Sequence, residues 1–103
     1  MTLGEVLEAA ASGLDDVAVG QVAEGGVTWS RGAEAFATLR ADGASAEFQL
    51  DPAIASAAVR TPDTEPSARG PGWVLFRPAA LNDHAADRAT AWFASAYRHA
   101  THR

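Results

Sequence analysis

Residues 34 to 50 read EAFATLRA, then Asp42-Gly43 as the hinge, then ASAEFQL, and no other part of the chain restricts the fold as much. Asp-Gly between two alternating segments suits a two-residue type I′ turn, in which both central residues take positive φ. That turn fixes a register. It sets Leu39 opposite Ala46, Ala37 opposite Phe48 and Ala35 opposite Leu50 on one side. On the other side it sets Arg40 opposite Ser45, Thr38 opposite Glu47 and Phe36 opposite Gln49. A register drawn from the turn alone thus sorts the side chains into an apolar face and a mostly polar face, as an antiparallel hairpin lying on a core requires. Phe36 is the exception on the polar face. Either sheet curvature buries it, which is the preferred reading, or it is an exposed aromatic open to a partner.

The elements around the hairpin follow from periodicity and punctuation. Leu3, Val6, Leu7, Ala10 and Leu14 recur at helical spacing over residues 2 to 14, with Thr2 and Glu5 as a capping box and Gly13 as a stop. VAVGQV, from Val17 to Val22, fits a short strand or an irregular connection, and Gly25-Gly26 breaks it before Val27, Thr28 and Trp29 resume a β pattern. Trp29 reads as a core or rim aromatic. Asp51-Pro52 is a helix entry leading to about Val59. In RTPDTEPSARGPGW, residues 60 to 73, Pro62, Pro66 and Pro71 forbid a continued helix and make a central strand implausible. WVLF, Trp73 to Phe76, reads as a central strand, either buried on both sides or with one crowded face. Asn82 or Asp83 then caps a last helix striped by Ala85, Ala89, Trp92, Phe93, Ala96 and Ala100, with Asp83, Asp87, Arg88, Arg98 and His99 mostly around its outside. The expected order is α-β-β-β-α-β-α: an α+β fold with an antiparallel sheet of about four to five strands and the N-terminal, middle and C-terminal helices packed on it.

A chain of 103 residues supports one core and hence a single domain, 1–103. It has no cysteine, which excludes disulfides, thiolate metal sites and thiol nucleophiles. Its start, MTLGEVLEAA, is acidic where a secretory leader is basic, and no apolar run approaches the roughly 20 residues that span a bilayer, so a cytoplasmic protein without membrane partners is expected. A net charge of −5 opposes binding to a phosphate backbone. All eight basic residues are arginine, the better planar clamp for anions.

Chemistry-bearing residues are scattered. Asp83, His84 and Asp87 open the last helix and in principle suit acid–base work, but a capped, acid-enriched helix start accounts for them. His99 and His102 share a helical face, with no third ligand nearby, and no metal or other cofactor is expected. There is no nucleophile elbow, lysine-bearing phosphate loop or H-E-x-x-H pair. The best anion-binding set is Arg60, Arg69 and Arg77 about the proline-rich stretch, although Asp63 and Glu65 within it are placed to neutralise them.

Taken in order, EAFATLRADGASAEFQLDP, GWVLF and DRATAWFASAYRHA resemble the MmcQ/YjbR-like family of small bacterial proteins, with GLDDV after the first helix completing the likeness. The resemblance implies a CyaY-like α+β fold and, from descriptions of the family, DNA binding; it implies no catalytic set. Gly32, Ala33 and Glu34 stand where the family commonly has a lysine, and RGPG replaces a more basic approach to Trp73, so positive charge is missing here. The Gly-Trp-Val strand and closing helix are also similar to those of a bacterial family named after a luciferase-like domain. The expected function is a non-enzymatic binding or protein-interaction module, monomeric or homodimeric, acting through Phe36, Arg40, Arg60, Arg69 and Arg77 on a protein or a small anion. DNA binding and an enzyme for a small anionic substrate are the alternatives.

Overall fold

The computed structural model describes residues 1–22 and 25–101. Their order is α1 (Leu3–Ser12), β1 (Val17–Gln21), β2 (Val27–Arg31), β3 (Glu34–Leu39), β4 (Ala46–Gln49), α2 (Pro52–Ala58), β5 (Thr64–Pro66), β6 (Trp73–Phe76) and α3 (Asp83–Thr101). The α+β class stands, with six strands in one sheet ordered β1-β2-β3-β4-β6-β5 and every neighbouring pair antiparallel. VAVGQ does form a strand. The proline-rich stretch contributes β5, a three-residue strand at the sheet edge, where proline is tolerated.

The hairpin register is the one expected: Ala37 faces Phe48, Thr38 faces Glu47 and Leu39 faces Ala46. The turn differs. Gly43 has φ of 69°, but Asp42 is not in the left-handed region, so this is not a type I′ turn. Instead the Gly43 amide donates to the Arg40 carbonyl at 2.9 Å, and the Asp42 carboxylate accepts from the amides of Ala44 and Ser45 and from the Ser45 hydroxyl. These bonds, the Ala44 amide foremost, hold the Asp42 carboxyl below its ordinary pKa. The side chain closes a four-residue loop, Ala41 to Ala44, in place of the expected two-residue one, and because the loop widens by one residue on each strand the register is unchanged.

On the helix side of the sheet, Trp29, Ala37, Phe48 and Val74 form one row across four strands, all buried. Helices α1 and α3 pack on each other over this face, and α3 lies across β2, β3 and β4. Phe93 of α3 is fully buried and meets Trp29 and Phe36 edge-on, at ring separations of 5.5 and 5.2 Å. Phe36 thus belongs to the core, through a bulge. Trp29 pairs with Ala37 but Ser30 with Ala35, so Phe36 is an extra residue in β3, and a bulge re-aims a side chain that strict alternation would send outward. The expected pairs of Phe36 with Gln49 and Ala35 with Leu50 do not form; the ladder stops at Ala37–Phe48, and Gln49 pairs with Trp73.

The caps are as expected. Thr2 and Glu5 complete a capping box, Asp51 accepts from the Ala53 amide, and Asn82 accepts from the Ala85 amide. Arg88 is not an outside residue. Its guanidinium sits over the Phe76 ring and donates to the Thr61 hydroxyl at 2.8 Å and the Pro62 carbonyl at 2.7 Å, which pins the start of the 60–72 segment to the helix layer.

Candidate functional site

The sheet face away from α1 and α3 carries Thr28, Thr38, Glu47, Leu75 and Glu65 in one cross-strand row. A carboxylate in mid-sheet is stable only if its oxygens are satisfied. Glu47, 12% exposed at its side chain, accepts from the Thr38 hydroxyl at 3.3 Å, from Arg69 Nε at 3.0 Å and from the Ser67 hydroxyl. Two of those donors come from a strap. After Arg88 pins residues 61 and 62 on the helix side, β5 runs along the edge, and Ser67 to Arg69 then fold over the outer face.

Two glycines return the strap to β6. Gly70 and Gly72 have φ of 137° and 81°, and the Trp73 amide donates to the Gly70 carbonyl at 3.2 Å. The Gly72 carbonyl accepts from the Leu50 amide at 2.8 Å, and a Cβ on Gly72 would stand 3.0 Å from the Leu50 carbonyl oxygen.

Between strap and sheet lies a groove of about 530 Å³ lined by Arg40, Glu47, Glu65, Ser67, Arg69 and Leu75 among others. Arg69 is its best-defined cation. Glu47 holds its Nε, the Trp73 ring lies 5.1 Å from its guanidinium carbon, and its two terminal amino groups have no protein partner among the described residues. A guanidinium steadied on one edge and one face, with its outer donors free, is a prepared fork for a carboxylate or phosphate. Burial pushes the Glu47 carboxyl up, but the Ser67 hydroxyl, the Arg69 guanidinium and the Thr38 hydroxyl outweigh it and hold its pKa below the ordinary glutamate value. Glu47 is therefore charged at neutral pH and keeps Arg69 in place.

Of the residues singled out from sequence, Arg40 and Arg69 share this groove. Arg77 lines a smaller neighbouring hollow of about 300 Å³ with Asp63, Thr64 and Glu65. Arg60 is exposed at the end of α2 and lines neither, and Phe36 is in the core. The ion partner of Arg69 is Glu47, not the strap's own Asp63 or Glu65. Asp83, His84 and Asp87 line neither hollow. The His99–His102 pair extends outside the described residues, since His102 is not among them. Arginines occur on both sides of the sheet, with Arg88 over Phe76 and Arg31 4.3 Å from the Tyr97 ring centre on the helix side.

Sequence reasoning missed Glu47, Ser67, Trp73 and Leu75. One signal was present: Glu47 lies between Ala46 and Phe48 in mid-strand, opposite Thr38. The chain matches no protein-family model, no curated protein and no solved structure.

Proposed function

We propose that this chain is a non-enzymatic binding module that takes an anionic group, a carboxylate or phosphate borne by a small molecule or a protein segment, in the groove between strap and outer sheet face. The observation that carries this reading is the Arg69 guanidinium, oriented by Glu47 and Trp73 with its terminal donors free. Arg40, on the same groove, is the second anion contact, and Leu75 offers an apolar floor. The spread of arginines over both sides of the sheet favours a local anion site over a long phosphate track. Membership of the MmcQ/YjbR-like family and a cytoplasmic setting belong to the same proposal; no described helix is long and apolar enough to cross a membrane.

The test is calorimetric titration with pyrophosphate and, separately, with a hexaglutamate peptide, on the wild type and on Arg69→Ala and Arg40→Ala. A millimolar or tighter site is expected, weakened roughly tenfold by Arg69→Ala and less by Arg40→Ala, since one charge-assisted hydrogen-bonded contact is worth about 1.5–3 kcal/mol before solvent screening. Whichever probe binds tighter identifies the source of the anion. Equal affinity of wild type and both variants, or no binding of either probe, overturns the reading.

A further inference from the structure

The two edges of the sheet are built differently. At the β5 edge, the Ser67 amide donates to the Trp73 carbonyl and the Arg77 amide to the Asp63 carbonyl, so the odd-numbered residues turn their backbone groups inward to β6. The even-numbered ones face outward, and one of them is Pro66, which has no N–H. Glu65 adds a charge to this short edge, which is a guarded one.

At the β1 edge there is no such guard. The strand VAVGQ has five residues, no charge and no proline, and from Ala18 to Gln21 it is exposed. The Val22 amide donates to the Gly26 carbonyl, so the hydrogen-bonded pairs with β2 are the even-numbered ones, Gly20 with Thr28 and Ala18 with Ser30. Val17, Val19 and Gln21 consequently turn their N–H and C=O groups outward along an open edge. Val19 is 61% exposed although it lies on the helix side of the sheet beside buried Trp29. A hollow of about 360 Å³ continues from it, between α1 and the sheet, lined by Glu8, Ala11, Ser12, Val17, Val19 and Trp29.

We propose that β1 pairs with β1 of a second copy of this chain, antiparallel about a two-fold axis at Val19, joining two sheets into one continuous sheet. The strand is complementary to itself in that register. Val19 meets the second copy's Val19 as a hydrogen-bonded pair, and Val17 meets Gln21 on either side, which makes about six bonds from the outward groups alone. On the opposite face Ala18 meets Gly20, both small, and within the strand no charge opposes a like charge. The exposed valines cover each other on the helix side, at the mouths of the two α1 hollows. This surface lies at the far edge of the sheet from the β4–β6 groove, so its failure and the failure of the anion site are separate results.

Five residues a side is far below the roughly 20–30 of a standard stable interface, so the dimer is weak, with a dissociation constant of about 0.1–1 mM. Each copy carries −5, so raising salt from about 50 mM to about 500 mM should tighten it several-fold by screening. Sedimentation equilibrium up to about 1 mM protein tests the dimer, with Val19→Lys, which sets two cations face to face, and Val19→Pro, which removes an outward amide and no bond to β2. Both variants should be monomeric with unchanged circular dichroism. In the wild type, amide exchange at Val17, Val19 and Gln21 should slow with concentration, while Ala18 and Gly20, already bonded to β2, should not change. A wild type that stays monomeric to about 1 mM, a dimer indifferent to Val19→Lys, or concentration-dependent protection elsewhere than β1 overturns the proposal, the first of these leaving a strand of another protein as the occupant.

Discussion

Replacing Phe93 with alanine is expected to cost about 3–5 kcal/mol of folding stability, the range for truncating a fully buried phenylalanine. Phe93 has no exposed surface and is the ring on which Trp29 and Phe36 both pack edge-on, so its loss leaves a cavity between α3 and the sheet bordered by two large rings. Rigid rings, Trp29 fixed in a strand ladder and Phe36 in the bulge beside it, close such a hole poorly. A domain of this size is stable by about 5–15 kcal/mol, so the variant stands near the limit of folding at ordinary temperature. Thr90→Ala on the exposed side of the same helix should change stability by no more than about 0.5 kcal/mol. Urea unfolding of the two variants and the wild type checks this; a loss under about 1 kcal/mol for Phe93→Ala would mean that the core is not organised around that ring.

The second large effect is at Glu47. Glu47→Gln keeps the shape but removes the charge that Arg69 pairs with, and it turns one acceptor of three donors into a donor. A hydrogen bond to a charged group is worth about 1.5–3 kcal/mol, and Arg69 is 44% exposed, so screening brings the expected loss to about 1–2 kcal/mol. The pH dependence has a definite sign. The carboxyl has a lower pKa folded than unfolded, so its contribution is complete above the unfolded value, near 4.5, and is lost as pH falls through the folded value below it. The stability gap between wild type and Glu47→Gln should therefore be full at about pH 7 and narrow toward about pH 3. A gap that is constant with pH, or that widens in acid, contradicts the described role of Glu47.

The hairpin register was legible in the sequence because turn residues and alternation are local properties, and it survived a wrong turn type because the loop that Asp42 closes with its side chain is longer by one residue on each strand. Helix ends were legible for the same reason, since caps are read within four residues. Phe36 was harder. Its burial was expected, but the bulge that achieves it depends on how β2 pairs with β3, which one strand does not reveal. The groove was the least legible part. Glu47 and Arg69 are 22 residues apart, and their meeting depends on a strap that is pinned by Arg88 on one side of the sheet and folds onto the other. Of the arginines singled out, Arg40 and Arg69 share the groove, and the acid that orients Arg69 had no local mark beyond its mid-strand position. The stretch from Arg60 to Trp73 is accordingly a connection between α2 and β6 whose residues 65 to 69 also wall the groove.

The most direct test of the account is a residue-by-residue map of anion binding by ¹H–¹⁵N correlation spectra, with pyrophosphate added to ¹⁵N-labelled protein at neutral pH. The account predicts shifts concentrated at the Arg69 Nε–H, the Trp73 indole and the amides of Arg40, Ser67 and Leu75, with the α1 and α3 amides unmoved. Shifts centred on the start of α3 or spread evenly over the arginines, with the Arg69 Nε–H unchanged, would contradict it.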